Sequence, residues 1–586
     1  MKTTIIIPVF YGPEQALRAI SAAESTTNRA STEIIVIDDT GNKSFNDFFK
    51  KMLSSLGLIE KITLKINQEN QGYLKACKNE IIGLSSEYAV ILHQDTLVTG
   101  DWLTNMIKTA ESDSKIALVN PSTNYAPILN IDIPKGSSIN QISKFLNDYD
   151  YKDKFIDIVT ATDFCLLLKN QYIKEYGFFD ESYEKGYGAV ADLHFRYITQ
   201  GLRAVISPSS FVYHKGSGIE DEQDEIYKQN RVKLMDRYKD VHDGSIEEFT
   251  NKTVLNDIRE QLSNTKDRDI DVLFISPSNN ITGGGVKIMH NMCNSLNEVG
   301  INSTIASTWV DTFKYRQDRL YKEIEYKELY NLNIKPKVIA YSLDHNAYEV
   351  IKYVRHIEKQ YKYTPKILYI AQDVEGWFEY HDTESFITYA ALGDQILTVS
   401  PFVQGFLQDK LPNKKIDMIL NSISSNFYGD YLQIINKTQS SDELFTITAM
   451  MRDDTKRGAK IISEAITNVS KKLNRKVKFI GFGGDISIPS GLPNIIYEKY
   501  ERIPEDRVKE LLAKSNLFIE ASFFQGFGLV AIEALFSNNI VLSSKNAGAA
   551  GVLPKVDNID FFTIADSNEL EEKILEIVNQ NNRKDD

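Results

Sequence analysis

His93 and Asp95 stand two residues apart directly after the apolar run Tyr88-Ala89-Val90-Ile91-Leu92, and a further imidazole, His214, follows Val212-Tyr213. A carboxylate at a strand end, with an imidazole two positions away on the same side of an extended chain, suits a hard divalent ion that must also hold a diphosphate. His214 is the candidate third ligand; the competing reading makes both histidines capping or core residues. Upstream, Asp38 and Asp39 close the β-branched run 34–37. A carboxylate there either accepts hydrogen bonds from a uracil-like base or a ribose, or caps a turn.

A second group of suited residues occupies the other half of the chain. Gly283 and Gly284 lie in Ile281-Thr282-Gly283-Gly284-Gly285, between a strand-like run at 271–276 and a helix-like run at 286–299. Glycines at such a turn let backbone N–H groups approach an anion, or provide a flexible turn and nothing more. Arg452, Lys456 and Arg457 follow the run 445–449, and three cations at a strand end match a diphosphate without a metal. A solvated charged loop is the alternative. Gln525-Gly526-Phe527-Gly528 then precedes a helix-like run bearing Glu533. The glycines permit close phosphate approach, and a carboxylate about one turn into the helix accepts both hydroxyls of a ribose.

These residues need elements to position them. From residue 3 to about 219, short strand-like runs (4–9, 33–37, 89–92, 116–119) alternate with helix-length segments (14–23, 74–84), which predicts an α/β fold with a largely parallel sheet. Residues 220–268 turn strongly charged, as in Asp221-Glu222-Gln223-Asp224-Glu225, and read as a helical linker or a disordered tether. A second α/β series begins near 269, pauses near 424–442 and runs to a final helix over 567–580. The expected domains are therefore 1–219, a linker 220–268, and two lobes, 269–435 and 436–586. At 586 residues the chain is too long for one core and implies roughly three or four lobes.

Composition narrows the setting. The three cysteines, Cys77, Cys165 and Cys293, are too few and too scattered for a disulfide framework or a cysteine metal cluster, which favours a reducing cytoplasm. The formal charge of −13 argues against nucleic-acid binding and against bulk attraction to an anionic membrane. No run approaches the roughly 20 apolar residues of a spanning helix, and the run after Met1 is too short for a signal peptide.

Taken in order, the motifs of residues 3–219 resemble the family 2 glycosyltransferases of the GT-A fold. The opening Ile5-Ile6-Ile7-Pro8-Val9-Phe10, then Ile37-Asp38-Asp39, Asn70-Gln71-Gly72 with Asn79, and His93-Gln94-Asp95 follow that family's donor-side order. Gly177-Phe178-Phe179-Asp180-Glu181, Gly186-Tyr187-Gly188, Asp192-Leu193 and Tyr213-His214 follow its acceptor-side order. The resemblance implies donor contacts from Pro8, Asp38, Asp39 and Asn70, and Mn²⁺ or Mg²⁺ on His93, Asp95 and His214. It also implies inverting transfer from a nucleoside-diphosphate sugar, with a carboxylate base. Two departures stand out: His93 replaces the usual acidic residue, and Ala189-Val190 replaces the acidic pair. Asp192 is then the surviving carboxylate of that motif, with Glu184 or Glu181 as substitutes.

Residues 269–586 resemble the GT-B glycosyltransferases of family 4, whose two glutamates stand eight positions apart; Gln525 takes the first place and Glu533 the second. Gln372-Asp373-Val374-Glu375-Gly376-Trp377-Phe378 is similar to a run in rhamnosyltransferase-like members, and implies that Asp373 and Glu375 face an acceptor between two Rossmann-like lobes. This resemblance implies retaining, metal-free transfer in which the leaving diphosphate, steadied by Arg452 and Lys456, helps deprotonate the acceptor. The expectation is a bifunctional cytoplasmic enzyme, α/β throughout, with UDP-, GDP- or dTDP-sugars as donors and rhamnose as the lean for the second module. For the first module the corresponding lean is an N-acetylhexosamine or glucose. The acceptor is a growing surface glycan, lipid-linked or on a glycoprotein, with peripheral contact at the inner face of the membrane for a lipid-linked one. The alternative is a single-activity enzyme whose first module binds acceptor or scaffolds.

Overall fold

The computed structural model describes the chain except for residues 1, 127–129, 150–154, 217–224, 239–253, 280–283, 310–318, 343–345, 378–381, 424–443, 453–454, 502, 546, 553–557, 564 and 581–586. Gly283 therefore lies outside the described residues. The chain forms two compact units, one of Met1–Val272, Asn291–Ala306 and Arg316–Pro336, the other of Leu273–His290, Ser307–Tyr315 and Lys337–Asp586.

The first unit is built on strands β1 (Thr3–Val9), β2 (Thr32–Asp38), β3 (Thr63–Ile66), β4 (Tyr88–Leu92), β5 (Thr96–Val98), β6 (Ile116–Ser122), β7 (Ile156–Asp157), β8 (Cys165–Lys169) and β9 (Arg203–His214). They lie in the order β3-β2-β1-β4-β8-β6-β9-β5, with β7 on β9. β3, β2, β1 and β4 are mutually parallel. Every residue of β1 and β4 is buried, as expected of parallel strands covered on both faces. The order reverses between β1 and β4, so the loops after Val9, Asp38 and Leu92 open on one crevice.

The rest of this sheet departs from the largely parallel expectation. β8 runs antiparallel to β4 and β6, and β5 and β7 run antiparallel to β9. The sequence Cys-Leu-Leu-Leu-Lys of β8 is a continuous apolar run, which specifies burial on both faces but carries no information on direction.

The charged stretch after residue 219 also does more than connect. Its helices Glu225–Tyr238 and Val254–Asn264 place Leu234, Leu255, Ile258 and Leu262 in the same apolar core as β1 and β4. Positions 255, 258 and 262 fall on one helical face, a narrow stripe within a polar composition.

In the second unit, strands Val338–Tyr341, Lys366–Ala371, Gln395–Thr398 and Lys415–Met418 pair in parallel in that order as four strands of the seven-stranded sheet of the first lobe. The second lobe has six parallel strands ordered Ile495–Tyr500, Val477–Phe482, Thr446–Met450, Leu517–Glu520, Ile540–Ser544 and Ile559–Phe562. Numbered within the lobe this is 3-2-1-4-5-6, the doubly wound dinucleotide-type order, with its switch point between Thr446–Met450 and Leu517–Glu520. Neighbouring residues go to opposite faces: Phe479 and Leu517 join one buried cluster, Ile480 and Phe518 the other.

Candidate metal and nucleotide sites

At the crevice of the first unit, Asp39 organises the loop 67–72. Its buried carboxylate accepts from Asn67 Nδ2 at 2.7 Å and from the backbone N–H groups of Gln71 and Gly72, both at 2.9 Å. Asp38 accepts from the Thr40 hydroxyl at 2.7 Å and its N–H at 3.1 Å, while burial pushes its pKa up. Asn70 is exposed on the loop that Asp39 ties, its Oδ1 accepting from Gly72 N–H at 3.0 Å. Gly41, at φ +62°, passes so close that a Cβ would sit 2.8 Å from the Asn70 nitrogen. Pro8 is buried in β1, in register with Ile37, and shapes the crevice floor. Gln94, assigned no role from sequence, ties two strand ends together: its Oε1 accepts from Phe10 N–H at 2.7 Å and its Nε2 donates to the Tyr11 carbonyl at 2.6 Å.

His93, Asp95 and His214 converge. One ligand atom from each lies within 4.8 Å of the others. The means is the pairing of Thr96 with His214 in the β5–β9 ladder, which brings the end of β9 beside the turn after β4. His214 Nδ1 contacts the Tyr125 carbonyl at 2.8 Å, which fixes that nitrogen as a donor and aims Nε2 at Asp95 Oδ2, 3.5 Å away. Burial opposes charging of His214, but Asp95 and the Tyr125 carbonyl outweigh it and raise its pKa. His93 Nε2 is sealed from water without a hydrogen-bond partner. Two imidazole nitrogens and a carboxylate, one nitrogen orphaned and the other oriented by a backbone carbonyl, fit a divalent ion.

Asp192 does not fit a base. Asp192 is fully buried, and its oxygens accept from Arg196 Nε at 2.8 Å, Arg237 Nη1 at 2.9 Å, Tyr238 OH at 3.0 Å and Tyr183 OH at 3.3 Å. A general base needs a lone pair facing the acceptor hydroxyl. The expected base role of Asp192 is therefore corrected: it clamps helix Ala189–Ile198 to helix Glu225–Tyr238. Ala189 and Val190 are themselves buried in the first turn of that helix. Glu181 is ion-paired with Lys78 at 2.5 Å.

In the second unit, Gln372 and Asp373 follow strand Lys366–Ala371 and meet the second lobe. Gln372 Nε2 donates to the Gly285 carbonyl at 2.9 Å and to Ser342 Oγ at 3.1 Å. A Cβ on Gly526 would lie 1.9 Å from the Gln372 carbonyl oxygen, so nothing larger than glycine fits there. The Gly526 N–H donates to Asp373, whose Oδ2 lies 3.7 Å from Lys456 Nζ. Burial raises the pKa of Asp373, with Lys456 and Arg457 opposing.

Glu375 departs from expectation. It is 1% exposed and accepts from Tyr369 OH at 3.0 Å, so it braces the turn that carries Asp373 rather than facing an acceptor. Gly528, at φ 82°, caps helix Leu529–Phe536, on which Glu533 is buried, and Phe527 is buried behind it. Gln525, half-buried, precedes them. Arg452 is exposed at the end of strand Thr446–Met450, with its backbone against Gly484, where a Cβ would come within 2.5 Å. Gly284 opens helix Gly284–Glu298 with no atom within 4 Å of its Cβ position. Sequence reasoning gave no role to Phe524, whose ring lies 5.4 Å from Trp377 and 5.7 Å from Lys456 Nζ.

Residues 4–177 match glycosyl transferase family 2, and residues 442–580 match glycosyl transferases group 1. The chain thus carries two glycosyltransferase-type domains, family 2 at the N-terminal side and group 1 at the C-terminal side. A relative from Methanocaldococcus jannaschii, the uncharacterized glycosyltransferase MJ1178, is 24% identical over 220 residues, 36% of this chain and 56% of the relative. The match thus spans little more than half the length of that relative. Among solved structures, Anabaena HepE in complex with UDP aligns with 53% of this chain and 91% of its own at 15% identity and a TM-score of 0.41. A glycosyltransferase from Rickettsia africae aligns with 53% and 89% at 15% identity and a TM-score of 0.39. Among the described residues, no helix is long and apolar enough to cross a membrane.

Proposed function

We propose that this chain transfers a sugar from a nucleoside-diphosphate sugar to a growing bacterial surface glycan at its C-terminal module, while the N-terminal module binds a donor diphosphate through a divalent ion. The observation that carries the reading is Asp373, 3.7 Å from Lys456 and bonded by Gly526 N–H at the meeting of the two lobes. Lys456 and Arg452 offset the charge of the departing diphosphate, and the N–H groups after Gly528 add to it. Glu533 holds the ribose, with Gln525 as a neutral partner. Asp373 orients the acceptor hydroxyl. The acceptor oxygen bonds to the anomeric carbon, the bond from that carbon to the diphosphate breaks, and the hydroxyl proton passes to the leaving phosphate. Rhamnose suits this module by its likeness to rhamnosyltransferases. The acceptor is lipid-linked or protein-linked, and the enzyme works in the cytoplasm, at the inner face of the membrane for a lipid-linked acceptor.

In the N-terminal module His93, Asp95 and His214 would hold Mn²⁺ or Mg²⁺, which when bound neutralises a donor diphosphate. A second reading, that this module also turns over and the chain is bifunctional, is favoured by the convergence of those three ligands. Against it stand Ala189 and Val190, buried where the acidic pair is expected. The test is release of nucleoside diphosphate from UDP-, GDP- and dTDP-sugars, with Mn²⁺ or EDTA, by the intact chain and by Asp95→Ala and Glu533→Ala. A single metal-independent activity lost in Glu533→Ala supports the first reading. A second activity lost with EDTA or Asp95→Ala supports the bifunctional one, and activity that survives Glu533→Ala in EDTA refutes both.

A further inference from the structure

Asp163 was given no role by sequence, yet it sits at the metal-type cluster. Its Oδ2 lies 3.7 Å from His93 Nε2, the nitrogen that has no hydrogen-bond partner. Its backbone is held on both sides. Thr162 N–H donates to Asn120 Oδ1 at 3.1 Å, and the Phe164 carbonyl accepts from His93 N–H at 2.9 Å. The Phe164 ring in turn stacks on His214, centroids 5.1 Å apart and 15° from parallel. The dipeptide Asp163-Phe164 therefore touches both histidines, one through its carboxylate and the other through its ring.

We propose that Asp163 is a fourth ligand, completing a two-histidine, two-carboxylate site with His93, Asp95 and His214 that takes up a borderline divalent ion such as Mn²⁺ before any nucleotide arrives. The inference rests on the metal-binding reading of the N-terminal module. Two ligands on one ion at about 2.1–2.2 Å are separated by roughly 3.0 Å when adjacent and roughly 4.3 Å when opposed. The 3.5 Å from His214 to Asp95 and the 3.7 Å from His93 to Asp163 both fall inside that span; the group mutually within 4.8 Å is His93, Asp95 and His214, so the half-exposed Asp163 side chain joins it from the His93 side by rotating inward. Charge points the same way. His93, Asp95 and His214 supply one negative charge to a doubly charged cation, and Asp163 supplies the second. Its side chain is 42% exposed, so the solvent side of the ion stays open to phosphate oxygens. Two imidazoles also set the ion preference, since Mg²⁺ favours an all-oxygen shell while Mn²⁺ accepts nitrogen readily.

The test is titration of the chelator-stripped full chain with Mn²⁺ and with Mg²⁺, without nucleotide, by calorimetry and by the electron paramagnetic resonance signal of free Mn²⁺. One Mn²⁺ per chain is expected, bound at least ~100-fold more tightly than Mg²⁺. Asp163→Asn should weaken Mn²⁺ binding at least ~10-fold, Asp163→Glu should restore most of it, and Asp95→Asn should abolish it. Thermal melts of the metal-free variants check that each is folded. Unchanged Mn²⁺ affinity in Asp163→Asn, with binding lost in Asp95→Asn, overturns the inference and leaves the metal reading standing. Affinity unchanged in both, or no Mn²⁺ bound by the parent chain at millimolar concentration, overturns the two together. Equal affinity for Mn²⁺ and Mg²⁺ in the parent chain, a result independent of any variant, also overturns it.

Discussion

Asp192→Asn separates a clamp from a catalyst, because it keeps the shape of the side chain and removes its charge. In the parent chain the buried carboxylate carries two guanidinium contacts, at 2.8 and 2.9 Å, and two tyrosine hydroxyls, at 3.0 and 3.3 Å. Removing one partner of a buried ion pair costs about 3–5 kcal/mol, chiefly because the other charge is stranded. Here the stranded charges are not deep: the Arg196 and Arg237 side chains are 29% and 41% exposed, and both regain water once released. That places the cost near the lower bound, about 3 kcal/mol. For a unit of this size, about 1 kcal/mol moves Tm by about 2–4 °C, so the N-terminal unit should melt roughly 6–12 °C lower. The assay is a thermal melt followed through near-ultraviolet circular dichroism, paired with Mn²⁺ binding well below the transition, where binding should be unchanged. A variant that melts with the parent chain but loses an EDTA-sensitive diphosphate release would refute the clamp and restore Asp192 as a base.

Two further outcomes follow from buried groups. His194 is 1% exposed with Nδ1 unpartnered, and burial lowers its pKa from 6.5 to about 4. The unfolded chain then binds the proton more readily than the folded one between those values. The contribution, about 3 kcal/mol, is present above pH 6.5 and is lost as pH falls toward 4. His194→Leu should flatten that part of the stability profile, measured as urea midpoints from pH 7 to pH 4; an unaltered slope refutes the assignment. Gly526→Ala places a Cβ against the Gln372 carbonyl, where the available separation is 1.9 Å. Displacing that contact by about an ångström should lower metal-independent diphosphate release roughly 100-fold while leaving Mn²⁺ binding intact. Release at the parent rate would mean that the Gln372–Gly526 contact is not kept in the working enzyme.

What could be read from sequence was what short-range chemistry encodes. The strand that delivers His93 and Asp95 is a five-residue apolar run, and the His-x-Asp spacing puts both groups at one strand end. His214 was reachable because it also ends a strand, although its register against Thr96 is set by pairing across more than a hundred residues. Glu533 and the glycines before it were legible because a strand, a glycine turn and a helix lie contiguous in the chain. Asp163 gave no such signal, since a single carboxylate ahead of a buried strand is commonplace and its meaning comes from a ring and a carboxylate reaching two distant histidines. The direction of β8 was equally silent, because an apolar run specifies depth and not polarity.

Asp192 is hard to place from sequence for a reason that bears on function. As the surviving carboxylate beside Ala189 and Val190 it invited a catalytic role, but its partners Arg237 and Tyr238 come from a helix whose composition reads as a linker. The fold thus spends its remaining motif carboxylate on holding that helix, and the buried Ala189 and Val190 supply no proton acceptor in its place. Yet the same module keeps His93, Asp95 and His214 within 4.8 Å of one another, an arrangement that packing alone does not require. On the proposed reading, a module with Ala189 and Val190 at those positions and three convergent candidate ligands is suited to gripping a diphosphate more than to deprotonating an acceptor. Across the cleft of the second unit, a carboxylate, a lysine and a glycine N–H meet at one point. On the proposed reading the two modules divide the chemistry, and the metal dependence of each is the measurement that tells them apart.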